Sequence, residues 1–290
     1  DHFMTADRLK KDGYTLEGNI WTKGKKRCLP LYEAKMIQAY DHRAASIVVK
    51  DSNWVRQGQT EPTSLVKHQD SSFMPQPRFW AAEKAIEEVL PDFDKPVFLA
   101  YKDVTSPTNQ RTMIASFIPP YGVLNSAPLV LPGDEINQRS LCCLLANLNT
   151  FVYDYVARQK VGGVHLNFFI VEQLPTLSPD TYSQKCPWSK RQTLERWISE
   201  RVLKLTCTAN DMIPFAEAAG MKEKVHKWRE PERAEMMAEL DAAFLILYGI
   251  ERDDVEYILS TFPGALKEEQ GVWGGGRKQA ILETYDAMTG

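Results

Sequence analysis

No run of apolar residues in this 290-residue chain reaches the ~18 that a membrane helix needs. The N-terminus lacks the basic-then-apolar order of a secretory signal. There is no internal repeat and no low-complexity tract. Cysteine is sparse: Cys28, Cys142, Cys143, Cys186 and Cys207 form no C-x-x-C pair, and the five histidines are equally scattered. Such spacing argues against structural zinc, and the thiols read as buried or incidental in a reducing cytoplasm. Also missing are G-x-x-x-x-G-K-S/T, G-x-S-x-G and H-E-x-x-H. The phosphate loop, the nucleophile elbow and the two-histidine zinc helix therefore have no residues to build them.

What is present is an ordinary globular composition, 43% apolar and 25% charged. The length suits one large domain or two smaller ones with real cores. The first residue is Asp, which suggests a chain cut from a longer one. Net charge is −3, but it is unevenly spread. Residues 1–60 hold 11 Lys or Arg against 7 Asp or Glu, residues 151–204 hold 8 against 5, and residues 211–270 hold 7 against 14. An acidic tail thus offsets a mildly basic remainder, and polyanion binding is permitted without being demanded.

The hydrophobic pattern changes along the chain. Up to about residue 135 it alternates or comes in short runs broken by Pro, Gly, Asn and Asp. Gly18-Asn19 between two aromatic-containing runs signals a hairpin. "SIVVK", "PVFLAYKDV" and "RTMIASFI" predict strands, and 79–90 predicts a helix stopped by Pro91. From 137 to 160, Leu141, Leu144, Leu145, Leu148, Phe151, Val152 and Tyr155 fall at helical spacing. Gly162-Gly163 suits the left-handed end of that helix. "VHLNFFIVEQLPTLSP" predicts a short extended segment and a loop. Helices are predicted over 190–208, 210–219, 229–248, 252–259 and 277–287, with "WGGGRK" as a flexible turn before the last. The fold class is α+β: a mixed-sheet domain over 1–187, strand-rich to about 135, followed by a helical region over 188–290.

Two stretches resemble catalytic motifs at first sight. "FIPPYG" (117–122) differs by one letter from the N/D-P-P-Y/F tetrad with which amino-methyltransferases hold a flipped base. Ile118 cannot accept a hydrogen bond from an exocyclic amine, however, and a strand ended by Pro119-Pro120 accounts for the letters. The only glycine cluster lies near the C-terminus after helices, the wrong context for a cofactor loop. "PDFDK" (91–95) has the letters of a nuclease metal site but lacks a second acid-x-Lys at a suitable distance, and Pro91 is better read as a helix stop.

A third concentration of polar side chains is of another kind. Lys35, Asp41, His42 and Arg43 lie beside Tyr32 and Tyr40. Arg78, Asn109 and Arg111 follow, and then Arg158, Gln159, Lys160, His165 and Asn167 surround Gly162-Gly163. These are side chains that reach phosphates and base edges. Each has a structural alternative: Asp41-His42-Arg43 as an ion-pair turn, Arg78 as a capping or packing residue, Gly162-Gly163 as a helix stop. The candidate DNA-binding residues are Lys35, His42, Arg43, Arg78, Asn109, Arg111, Arg158, Lys160, His165 and Asn167; no catalytic, cofactor or metal residue is assigned.

At these residues the chain resembles a known family. "DGYTLEGNIWTKGKKRCLPLYEAKMIQAYDHRAAS", "PRFW", "TNQRTMIASFIPPYGVLNSAPLVL" and "LLANLNTFVYDYVARQKVGGVHLNFFIVEQLPTLSP" are similar, in that order over residues 7 to about 180, to the C-terminal part of large adenine-N6 DNA methyltransferases. Those enzymes occur in fused type II restriction–modification enzymes and in bacterial phage-defence systems of the BREX and DISARM kinds. "GGVHLNFFIVEQLPTLSP" is similar to the segment that closes a recognition domain in type I specificity subunits. The resemblance implies a target recognition domain with a helical spacer in a bacterial cytoplasm. It implies double-stranded DNA as a partner, and a catalytic domain that precedes this chain and holds S-adenosylmethionine and the true tetrad. The alternative is a protein–protein docking module, with other defence subunits as partners of the acidic helices.

With Ile118 in the tetrad-like place and no cofactor loop, the chain is expected to transfer no methyl group and to show no measurable affinity for S-adenosylmethionine. Titration calorimetry checks this, and micromolar binding would contradict the reading of residues 117–122.

Overall fold

A computed structural model describes residues 3–49, 58–262, 266 and 276–290. The architecture is α+β, with a five-stranded mixed sheet, a three-stranded sheet and a two-stranded ribbon ahead of helices. The first sheet runs β1 (Thr15–Glu17), β2 (Ile20–Lys23), β3 (Lys26–Tyr32) and β6 (Trp80–Ala82), all antiparallel neighbours. The Gly18-Asn19 turn joins β1 to β2 as its sequence predicts, with Gly18 at φ +62°. β4 (Ala45–Val48) pairs with β5 (Gln59–Pro62).

The three-stranded sheet is the partition of the molecule. β7 (Phe98–Tyr101) lies between β8 (Ala115–Ile118) and β10 (Leu129–Val130), and every residue of β7 and β8 is buried. Successive strand side chains point to opposite faces. Leu99, Tyr101, Ala115 and Phe117 enter one core with the helices, while Phe98, Ala100 and Ile118 enter a second with Tyr32, Met36 and Ile37. A strand buried on both faces has no reason to alternate, which explains "FLAY" and "ASFI". Ile118 is fully buried in that second core, and Tyr121 stacks near Tyr32. Gly122 opens β9 (Gly122–Val123), parallel to β3, where a Cβ would run into the Leu31 side chain. "FIPPYG" is thus a strand end and a close backbone approach.

The helical part begins with α4 (Gln138–Asn149) and α5 (Phe151–Lys160). One continuous helix is predicted over these residues, but Thr150 is extended, at ψ 154°. The cause lies 34 residues upstream in sequence. Asn149 accepts from the Ala115 N–H and donates to its carbonyl, both at 2.9 Å, and Asp241 accepts the Phe151 N–H. These side chains satisfy backbone groups that a helix through Thr150 would have to satisfy differently. The predicted closing strand is also corrected. Among the described residues the bridge from His165 to Val104 is its only pairing, and Phe168–Val171 is a helical turn. Residues 79–90 split into β6 and a short helix, Glu83–Val89.

Further helices are α8 (Leu194–Thr206), α10 (Glu230–Leu247), α11 (Arg252–Ser260) and a last one, Gly276–Thr289. No strand follows Val130 among the described residues. The Trp273–Gly275 portion of the expected turn lies outside the described residues. The main core runs without a break from Tyr40 to Tyr285, so residue 187 marks a change of pattern and not a gap in packing. No described helix is long and apolar enough to cross a membrane.

Arg43 joins the strand-rich and helical parts. It is fully buried and donates to the carbonyls of His68 (2.8 Å), Asp70 (2.8 Å), Phe73 (3.2 Å) and Thr208 (3.1 Å). Deleting it removes the donor from the buried His68 and Thr208 backbone, while the Asp70 carbonyl keeps the Phe73 N–H at 3.2 Å. Arg43→Ala is expected to cost at least about 3 kcal/mol, and Arg43→Lys to recover little, because an ammonium cannot span the four carbonyls. Urea unfolding checks this, as a lower midpoint at unchanged slope.

Candidate nucleic-acid interface

The ten residues singled out by side-chain chemistry separate into two groups. Six are held by partners within the fold. Lys35 donates to the Gly58 carbonyl at 2.7 Å and lies 3.6 Å from Glu33. Arg78 pairs with Glu33 at 3.2 Å and lies over Phe79. His42 is buried 3.0 Å from Asp211, and Arg43 is enclosed as described. Arg111 donates to the fully buried Asp154 at 2.7 Å and lies over Phe151. Arg158 donates to the carbonyls of Asn109, Gln110 and Thr261 and lies over Phe262. The expectation that these cations face a duplex is corrected most plainly at His42 and Arg43, which no phosphate can reach without unfolding. Arg111, with 11% of its side chain exposed, is little better placed.

The other four are exposed. Asn109 sits on the turn that Arg158 grips. Lys160, His165 and Asn167 come together with Gly162, Gly163, Phe169 and Gln173 around a cleft of about 410 Å³. Local bonding fixes this cleft. The Thr105 N–H donates to the Val164 carbonyl at 3.0 Å, and the Leu166 N–H donates to the Asp103 carbonyl at 2.8 Å. His165 Nδ1 lies 2.7 Å from Asp103 Oδ2, so the ring is oriented while half its surface stays in solvent. Leu166 is the buried anchor beneath them.

Gly162 and Gly163 do not end the helix in the expected way. Val161 turns extended after Lys160, and neither glycine has a positive φ. A Cβ on either would meet nothing within 4 Å. Their bareness is therefore not required by internal packing, and it leaves backbone open to an approaching ligand.

Sequence reading placed Val164, Phe168 and Phe169 in the closing strand, where alternate residues would be buried. They are 62%, 61% and 60% exposed. The missed signal is Asn167, a residue type that favours helix starts, directly before the two phenylalanines. Two exposed aromatic rings, a free ammonium, an imidazole and amide side chains form a surface that can stack on bases and bond to phosphates or base edges. Asp103 and Glu172 bring negative charge to the same border. Among the described residues no group of three His, Cys, Asp or Glu is placed to hold a metal ion.

No protein-family model, curated protein or solved structure matches the chain.

The division into held and free residues has a direct consequence for stability. Arg111→Ala strands a buried carboxylate that also accepts from the Thr112 and Met113 N–H groups, and is expected to cost about 3 kcal/mol. Lys160→Ala is expected to stay within about 0.5 kcal/mol of wild type. Chemical denaturation of both variants separates the two groups, and equal losses would contradict it.

Proposed function

We propose that this chain is a duplex-DNA recognition module of an adenine-N6 DNA methyltransferase from a restriction–modification or phage-defence system, with methyl transfer carried out by another domain. The observation that carries the reading is the convergence of exposed Lys160, His165, Asn167 and Phe169 about the bare Gly162-Gly163 backbone, with exposed Phe168 beside them in sequence. It falls within the segment whose sequence resembles the recognition region of those enzymes. In this reading Lys160 meets a phosphate, the amides of Asn167 and Gln173 meet base edges, and the aromatic pair contacts or wedges against the bases.

A second reading, a docking face for another protein, rests on the same exposed apolar side chains together with Val104, which is 55% exposed. Salt separates the two. Phosphate contacts release counterions, so duplex affinity falls steeply as salt rises, whereas an apolar docking face is far less sensitive.

Fluorescence anisotropy with a labelled duplex at 50 and 200 mM salt tests the proposal. Wild type is expected to bind with a non-specific Kd of roughly 10⁻⁴ to 10⁻⁶ M at the lower salt. The K160A/H165A/N167A variant is expected to bind about tenfold more weakly, with its salt slope reduced by about one through loss of Lys160. Absent binding at 50 mM salt would overturn the reading, and unchanged binding by the triple variant would remove the cleft from it.

A further inference from the structure

A second charged surface lies far from residue 160 in sequence. Residues 8–27 contain seven Lys or Arg against two Asp or Glu. They form the helix Ala6–Lys11 and the meander β1–β2–β3. β1 is exposed at all three of its residues, and β3 is exposed at Lys26 and Arg27 before it enters the core at Cys28. This end of the sheet is exposed from 23 to 27, while Leu9, Trp21 and Cys28 anchor the helix and the meander against Trp80. Its β2–β3 turn, Gly24 at φ +60° followed by Lys25, has no apolar side chain.

Contacts at the base bring the helix and the turn together. Lys23 Nζ donates to the Asp12 carbonyl at 2.7 Å, directly after the helix. Arg8 pairs with Asp12 and Arg27 with Glu83. Lys10, Lys11, Lys25 and Lys26 are all exposed, and none has a carboxylate within 4 Å among the described residues. Four free ammonium groups thus flank one turn. Like charges so gathered repel one another, and an anionic partner relieves the repulsion.

We infer that the β1–β3 ribbon is a phosphate-gripping arm for double-stranded DNA, with Lys10, Lys11, Lys25 and Lys26 as its contacts. The inference rests on the proposed DNA reading and adds a second contact surface to it. The exposed β2–β3 hairpin end has the two-stranded width that a major groove admits, and lysine ammoniums are point charges suited to phosphates. A membrane surface is the weaker match, because the turn offers no apolar side chain to enter a bilayer.

The test compares three proteins by anisotropy across a salt series: wild type, K10Q/K11Q/K25Q/K26Q, and K185Q/K190Q/K222Q/K227Q. The last removes the same charge from exposed lysines elsewhere. Circular dichroism and thermal unfolding confirm that all three fold. The ribbon variant is expected to bind at least about tenfold more weakly at 50 mM salt, with a salt slope lower by about one per lysine in contact. The control variant is expected to keep the wild-type slope. Equal losses in both variants would reduce the effect to net charge and overturn the inference. An unchanged ribbon variant beside a weakened K160A/H165A/N167A variant would sink the arm and leave the proposed function standing. Loss in the ribbon variant alone would keep the arm and remove the cleft. Wild type that binds phosphatidylserine vesicles through these lysines, but not duplex, would overturn both.

Discussion

One buried guanidinium ties irregular backbone of both halves of the molecule together beside their shared apolar core. Arg43 lies at the end of a tight turn in which Tyr40 has φ +61°, a costly angle for a bulky side chain. That turn is fixed by the Tyr40 N–H donating to Ala115 and by bonds between Gln38 and Asp41. From it Asp41, His42 and Arg43 all point into the seam with the helices. Burial pulls the Arg43 pKa below its ordinary value, and Asp41 and Asp211 oppose that pull. The cation therefore persists in a dry place, where hydrogen bonds to charged donors are strong. Its four carbonyl acceptors come from His68 near the end of the short helix Leu65–Gln69 and from irregular backbone at 70, 73 and 208. Without the cation the second half of the seam would need water or a different path.

Around Arg43 the seam continues as a stack. His68 Nε2 lies 3.1 Å from Asp41 Oδ2, its ring lies 3.9 Å from that of Trp228, and the Arg233 guanidinium covers the other ring system at 3.5 Å. Arg233 donates onward to the Leu205 carbonyl, and burial brings its pKa down to about 10, with Asp41 opposing. Desolvation would raise the Asp41 pKa, but the bond to His68, the charges of His68 and Arg233 and the Arg43 N–H outweigh it and leave it lowered. The stability tied to Asp41 is thus present above its unfolded pKa of about 3.9 and is lost as pH falls through the lower folded value. Planar cations stacked on planar rings fill space as aromatic side chains do, while their edges satisfy carbonyls. This polar stack therefore extends the seam beside the apolar core that the strand-rich and helical parts share.

This arrangement explains what was and was not legible in the sequence. Local signals were readable: the Gly18-Asn19 hairpin, the acidic first turn of α10, the change of period near residue 135. Features decided by distant partners were not. The break at Thr150 depends on Ala115 and Asp241, and β9 is two residues whose pairing depends on a bare Gly122 against Leu31. The candidate site failed in the same way. Arg43, Arg111 and Arg158 have the chemistry to reach a phosphate, and sequence carries no mark of the carbonyls and carboxylates that hold them instead. Lys160, His165 and Asn167 share a loop with one another and depend on no distant partner beyond Asp103, so local reading was enough to group them.

A difference between the two cations also shapes what a recognition surface here could read. At the cleft and the ribbon, the arginines Arg8, Arg27 and Arg158 all have partners, and the free cations are Lys10, Lys11, Lys25, Lys26 and Lys160. The Arg158 fork, which would suit a guanine edge, is committed to internal carbonyls, whereas Arg8 and Arg27 make only surface ion pairs. Base discrimination on the proposed reading falls to the amides near the cleft, the exposed Gln159, Asn167 and Gln173. Asn and Gln pair in bidentate fashion with the N6 and N7 edge of adenine. At the cleft, where Arg158 is taken up by the carbonyls of Asn109, Gln110 and Thr261, the proposed surface would then favour A·T pairs.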